Sequence, residues 1–160
     1  MKRFLPFAII FMIACNKESI KTNQEGIVIY TIGGDALQIE DSASGSQAKW
    51  IYSSSPSKGY GLQAYVTQPG GSVLYMISFF IVTDKIEINH AYLQQVTGTI
   101  LKNNTDYAST KDIVGTYVRI NISQQQNKTL TGTFTGTLKN LNTNELVEIS
   151  GSFSNVKIIG

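Results

Sequence analysis

Thr129-Leu130-Thr131-Gly132-Thr133-Phe134-Thr135-Gly136-Thr137-Leu138 alternates without a break. Threonine holds every odd position, and leucine, glycine or phenylalanine every even one. That period of two belongs to a β-strand with one wet face. Threonine is β-branched and tolerates water, which suits an exposed pleated surface. On the opposite face Gly132 and Gly136 flank Phe134, leaving room for that ring or for bulky cross-strand neighbours at a cost in strand stability.

The pattern continues on both sides. Upstream, Thr116 to Ile122 turns Val118, Ile120 and Ile122 one way and Tyr117, Arg119 and Asn121 the other. The polar Gln124-Gln125-Gln126-Asn127 segment reads as the turn between these two strands. Downstream, Asn140 to Asn144 reads as a loop, after which Val147, Ile149, Gly151 and Phe153 alternate with Glu148, Ser150, Ser152 and Ser154. Three strands in a row with short polar connections predict a C-terminal antiparallel meander.

Earlier in the chain, Tyr60 to Thr67 and Ser72 to Thr83 flank Gln68-Pro69-Gly70-Gly71, which predicts a hairpin. The run Val73 to Val82 does not alternate, so both of its faces are expected to be covered. Weaker strands are read at Ile27 to Ile32, Ala36 to Ile39, Ala48 to Tyr52 and Thr97 to Leu101, with turns at Gly33-Gly34-Asp35 and from Asp41 to Gln47. Glu87 to Gln95 reads as a loop or a single helical turn. The expected fold is all-β: an antiparallel sandwich or barrel of about eight or nine strands, with sandwich somewhat ahead. Gly98, Gly115 and Gly132 each precede threonine at intervals of 17 residues. Gly-Thr pairs are common in Thr-rich strands, and no further similarity supports a repeat.

The N-terminus is of a different kind. Met1-Lys2-Arg3 is basic, Phe4 to Ile13 is apolar apart from Pro6, and small Ala14 precedes Cys15. This is the layout of an export signal. At helical rise the apolar run covers about 15 Å, half the hydrocarbon thickness, so it serves as an address and not as a span. Met12-Ile13-Ala14-Cys15 resembles the bacterial lipoprotein box, departing from it at Met12, where leucine is usual. The resemblance implies a cleaved signal helix over residues 1–14 and acylation of Cys15 with diacylglycerol and a further chain such as palmitate. Residues 15–25, polar except for Ile20, would then form a lipid-anchored flexible tether, and residues 26–160 a single all-β domain. Cys15 is the sole cysteine, so an intrachain disulfide is impossible.

Taken with this start, Thr131 to Leu138 and Val147 to Phe153 are similar to the closing hairpin of small Bacteroidota envelope lipoproteins of an uncharacterised all-β family. The similarity covers about a third of the chain and is structural. It implies a lipoprotein of the bacterial cell envelope, in the outer membrane, and carries no catalytic residue across. Lys17-Glu18 resembles the surface-export signal of Bacteroidota lipoproteins, with one acid following where two are usual, so periplasmic and surface-facing orientations both fit. Asp41-Ser42-Ala43 resembles the O-glycosylation acceptor of the same bacteria.

Composition narrows the function. Hydrophobic residues make up 42% of the chain and charged residues 15%, enough apolar surface for a core and too little charge for a disordered chain. The 13 Lys+Arg and 11 Asp+Glu fall level once Lys2 and Arg3 leave with the signal. A neutral chain has no electrostatic footprint for phosphate backbones, so no nucleic-acid partner is expected. The expected partners are the membrane, through lipid on Cys15, and an envelope protein or a glycan.

Motifs for chemistry are sparse. His90 is the only histidine, and its neighbours Asp84 and Glu87 raise the question of a metal site; the local alternation of Ile86 and Ile88 with polar residues reads instead as a solvated edge or loop. A serine hydrolase would have to use His90, and no Gly-x-Ser-x-Gly elbow supports one. Ser-x-x-Lys occurs at Ser46, Ser55 and Ser154, too often in a Ser-rich chain to discriminate. Glu40-Asp41 are adjacent, whereas paired glycosidic carboxylates face each other across a cleft. No phosphate loop or dinucleotide fingerprint is present, and no cofactor and no enzymatic activity are expected. Two binding alternatives remain. Trp50 and Tyr52, with Tyr60 and Tyr65, are candidates for an aromatic platform that would make the domain a carbohydrate-binding module. Tyr75, Ile77, Phe79 and Phe134 would line the cavity of a calycin-like barrel holding a small apolar ligand.

Overall fold

The computed structural model describes residues 26–41, 45–55, 57–93 and 96–160. It is all-β, with eleven strands: β1 Ile27–Ile32, β2 Asp35–Glu40, β3 Ser46–Ser53, β4 Gly59–Thr67, β5 Val73–Val82, β6 Ala91–Tyr92, β7 Val96–Lys102, β8 Thr105–Ser109, β9 Tyr117–Gln126, β10 Thr129–Asn140 and β11 Leu146–Ile159. The predicted sandwich or barrel is present, with more strands than the eight or nine read from the sequence. Among the described residues, no helix is long and apolar enough to cross a membrane.

The two longest strands create the architecture. Along one edge β11 pairs with β1 from Ile149 to Ser154, then with β3, in parallel, from Lys157 to Ile159. Similarly, β10 pairs with β9 from Thr129 to Thr137 and with β8 at Lys139 and Asn140. Each strand thus leaves one layer and enters the other. One layer runs β2-β1-β11-β10-β9-β6 and the second β3-β4-β5-β7-β8, joined at two corners into a closed ring. A register break between Leu130 and Gly132, with Asn155 at a φ of 53°, marks the bend where β11 changes neighbours. Such a bulge redirects a strand without ending its pairing. The Asn155 amide donates to Thr131 Oγ1 at 3.1 Å, tying the bend together.

Two-residue turns set much of the register. Gly33-Gly34, Asn103-Asn104 and Asn127-Lys128 all have positive φ at both central positions, the backbone of a type I′ hairpin. The turn before β10 is therefore Asn127-Lys128, and Gln124 to Gln126 are paired in β9 with Thr129 to Thr131. The glutamines read as a turn are strand residues, because asparagine accepts the left-handed region at lower cost. Within Glu87 to Gln95, the described residues contain the short strand β6 and no helical turn. Tyr92 of β6 explains the local path: its hydroxyl accepts from the Glu87 amide at 2.7 Å and donates to the Lys85 carbonyl at 3.4 Å, while Ile86 is buried. Burial raises the Tyr92 phenol above its usual pKa, with the Glu87 amide acting in the opposite direction.

The interior is filled by aromatic rings lying on glycines. Phe134 is paired across the sheet with Gly151, Phe153 with Gly132 and Phe79 with Gly98. A Cβ on Gly151 would lie 2.5 Å from Phe134 Cζ, one on Gly132 2.6 Å from Phe153 Cζ, and one on Gly98 2.7 Å from Phe79 Cδ1. Each ring occupies the space its partner's side chain would need, so the alternating glycines shape the core. Phe79 and Phe134 meet edge to face at 4.9 Å, and Trp50 and Phe153 at 5.3 Å. The glycines spaced 17 residues apart occupy unlike settings: Gly98 and Gly132 lie in strands, and Gly115 lies in a loop at a φ of 81°. On β5, Ile77, Phe79 and Ile81 are buried, whereas Met76, Ser78 and Phe80 on the other face are only half-buried. No second layer covers that outer face among the described residues. Its apolar character is absorbed locally, with Phe80 lying over Gly59 and Gly61.

Candidate functional site: a polar trough on the outer face

The residues first suspected of function separate in space. Cys15, the tether, and Ser42 and Ala43 of the glycosylation-like motif lie outside the described residues. Trp50 is fully buried against Phe153, so it is a core residue and cannot offer its face to a sugar. Tyr52 and Tyr60 share its inward parity and are cross-strand partners at the edge of the interior, with ring centroids 5.1 Å apart. Tyr65 lies on the outer face of β4 and donates to Gln47 Oε1 at 2.7 Å. The four aromatics therefore form no common platform.

The other suspected groups also disperse. His90 Nδ1 lies 3.8 Å from Glu87 Oε2, whereas Asp84 pairs with Lys58 at 3.7 Å. Among the described residues, no group of three His, Cys, Asp or Glu side chains is placed to hold a metal ion. Ile77, Phe79 and Phe134, expected around an apolar cavity, pack into the core, and Tyr75 is half-buried. Two buried polar atoms, Tyr30 Oη and Trp50 Nε1, have no hydrogen-bond partner among the described residues. Burial, with a smaller contribution from Tyr75, drives the Tyr30 phenol far above its usual pKa, so it stays neutral.

A different constellation assembles on the outer face of the β1-β11-β10-β9 layer. The larger of two adjoining grooves, of about 730 Å³, runs between β9 and the segment that follows β8. It is lined by Tyr117 and Arg119 of β9, Thr135 of β10, Ser109, Thr110 and Lys111 at and after the end of β8, and by Thr116 and Leu93. The smaller groove, of about 500 Å³, shares Tyr117 and Thr135 and extends over Ser150 and Thr31 to Glu148 and the Gly33-Gly34 turn. Both volumes fall in the range of small-molecule sites.

The local sequence explains the geometry. Cross-strand register places Thr31, Ser150, Thr135 and Arg119 in one row across four strands. Thr31 Oγ1 and Ser150 Oγ are 3.0 Å apart, so the row begins as a hydroxyl pair. Residues 110–116 fold into a tight loop: the Asp112 amide donates to Thr110 Oγ1 at 3.3 Å, the Ile113 amide to the Thr110 carbonyl at 3.1 Å, and Thr116 Oγ1 to the Ile113 carbonyl at 2.8 Å. Gly115, in the left-handed region, closes that loop. Lys111, in this loop, and Arg119, on β9, both line the larger groove. Both cations are exposed, and among the described residues neither has a carboxylate within 4.0 Å. Among the described residues the larger groove is lined by Ser and Thr hydroxyls, two cations, one tyrosine and Leu93.

The residues lining this site come from separate segments of the chain, which no local sequence pattern joins. Lys111 and Arg119 on either side of Gly115, with hydroxyl residues between, were the available signal. No protein-family model, curated protein or solved structure matches the chain.

Proposed function

We propose that this is a lipid-anchored protein of the bacterial cell envelope, held at the outer membrane by acyl chains on Cys15, and that it binds a ligand in the outer trough without transforming it. The observation that carries this reading is the polarity of the domain. Gly26, where the tether would join, packs against Val156, and its carbonyl accepts from the Asp41 amide at 2.8 Å. The Gly33-Gly34 turn, at the rim of the trough, closes the far end of β1. Six residues at strand rise span about 20 Å, so the tether would join at the end of β1 away from the Gly33-Gly34 rim and leave the trough open. Each buried CH₂ contributes about 0.8 kcal/mol, so two or three acyl chains hold a domain that one would release.

Radiolabelled palmitate fed to cells expressing the chain tests the anchor. The label is expected in the outer-membrane fraction on a protein lacking residues 1–14, and Cys15→Ala should abolish it. Label retained by Cys15→Ala, or an unlabelled wild-type protein in the soluble fraction, contradicts the reading.

A further inference from the structure

We propose that the trough is the seat of an acidic oligosaccharide, a short sugar chain carrying a carboxylate, an assignment that rests on the ligand-binding reading above. The cations supply the first argument. Lys58 and Lys102 are matched by Asp84 and Asp35, whereas Lys111 and Arg119 both line the larger groove, which has no carboxylate in its lining among the described residues; Glu148 lines the smaller one. A guanidinium and an ammonium lining one groove suit an anionic ligand, and the planar guanidinium favours a carboxylate that it can grip with two parallel bonds.

The floor supplies the second argument. The row Thr31, Ser150, Thr135 and Arg119 crosses four strands, so its three steps cover about 14 Å, the length of a short oligosaccharide. Hydroxyl side chains both donate and accept, matching a ligand whose own hydroxyls do the same. Tyr117 lines both grooves and is 47% exposed, placing one amphipathic ring at their junction for the face of a sugar. Two cations are too few for a nucleic-acid backbone, whose readers neutralise several phosphates at once. Among the described residues only Leu93 adds an aliphatic side chain to the larger groove, which offers little to the apolar anchors of a peptide.

Titration calorimetry on the full chain in detergent micelles tests the assignment, with trigalacturonate, neutral maltotriose and triglutamate as probes. Trigalacturonate should bind saturably, more tightly than either of the others and less tightly as salt is raised. Arg119→Gln and Lys111→Gln should each weaken it about tenfold, as expected for loss of one charge-assisted hydrogen bond, while Lys58→Gln leaves it unchanged. Maltotriose binding as tightly as trigalacturonate, or Arg119→Gln without effect, overturns the acidic-sugar assignment and leaves a binding trough of another class. Tighter binding of triglutamate overturns it in favour of an acidic peptide. Binding of none of the three at millimolar concentration overturns the assignment, whereas the palmitate result bears on the anchor alone.

Discussion

Gly151→Ala should lower the free energy of unfolding by about 3 kcal/mol, the upper part of the range for overpacking a dense core. The added methyl would collide with the Ile29 carbonyl oxygen and sit 2.5 Å from Phe134 Cζ and 2.7 Å from Tyr30 Cβ. The first of these is backbone in a neighbouring strand, and the second is the ring that rests on the glycine, so none of the three can yield alone. Gly61 supplies the comparison: it lies in β4, and the nearest atom to its added Cβ would be Phe80 Cδ2 at 3.5 Å, ordinary contact distance. Gly61→Ala should therefore stay within about 0.5 kcal/mol of wild type. Urea unfolding followed by far-ultraviolet circular dichroism reads both. Equal effects at the two positions would show that the rings do not depend on their glycines.

Trp50→Ala should cost about 3–5 kcal/mol, the usual loss on truncating a buried aromatic, and a large share of the stability of a typical domain. Trp50 has no exposed surface and packs edge to face on Phe153. Its indole Nε1 has no hydrogen-bond partner among the described residues, so Trp50→Phe gives up no such bond there and should cost less than half as much. Trp50 is the only tryptophan, and its fluorescence in the wild type should be blue-shifted and poorly quenched by iodide. An effect of Trp50→Ala below about 0.5 kcal/mol is what an exposed side chain would give.

These residues show what could be read from the chain and what could not. The C-terminal strands were legible because each has one wet and one dry face, so Val118, Phe134 and Phe153 announce their direction by parity alone. β8 was not legible. Its sequence Thr105-Asp106-Tyr107-Ala108-Ser109 is short and polar, and it becomes a strand through the Asn103-Asn104 turn and its pairing with β7. Parity likewise placed Trp50 and Tyr52 on one face, and it separates Tyr60 from Tyr65, five positions apart. Which face is dry depends on the opposite layer, a tertiary property that no local pattern carries. The trough was hidden for a related reason: Thr31, Ser150, Thr135 and Arg119 are distant in sequence and become neighbours only through pairing register.

The site's position on the molecule is best tested by nitrogen-15 chemical-shift mapping during titration with trigalacturonate. Amide shifts should gather at Thr31, Lys111, Tyr117, Arg119, Thr135 and Ser150, leaving Tyr52, Tyr60 and Tyr65 still. Shifts centred on those three tyrosines, with the trough unmoved, would contradict the account.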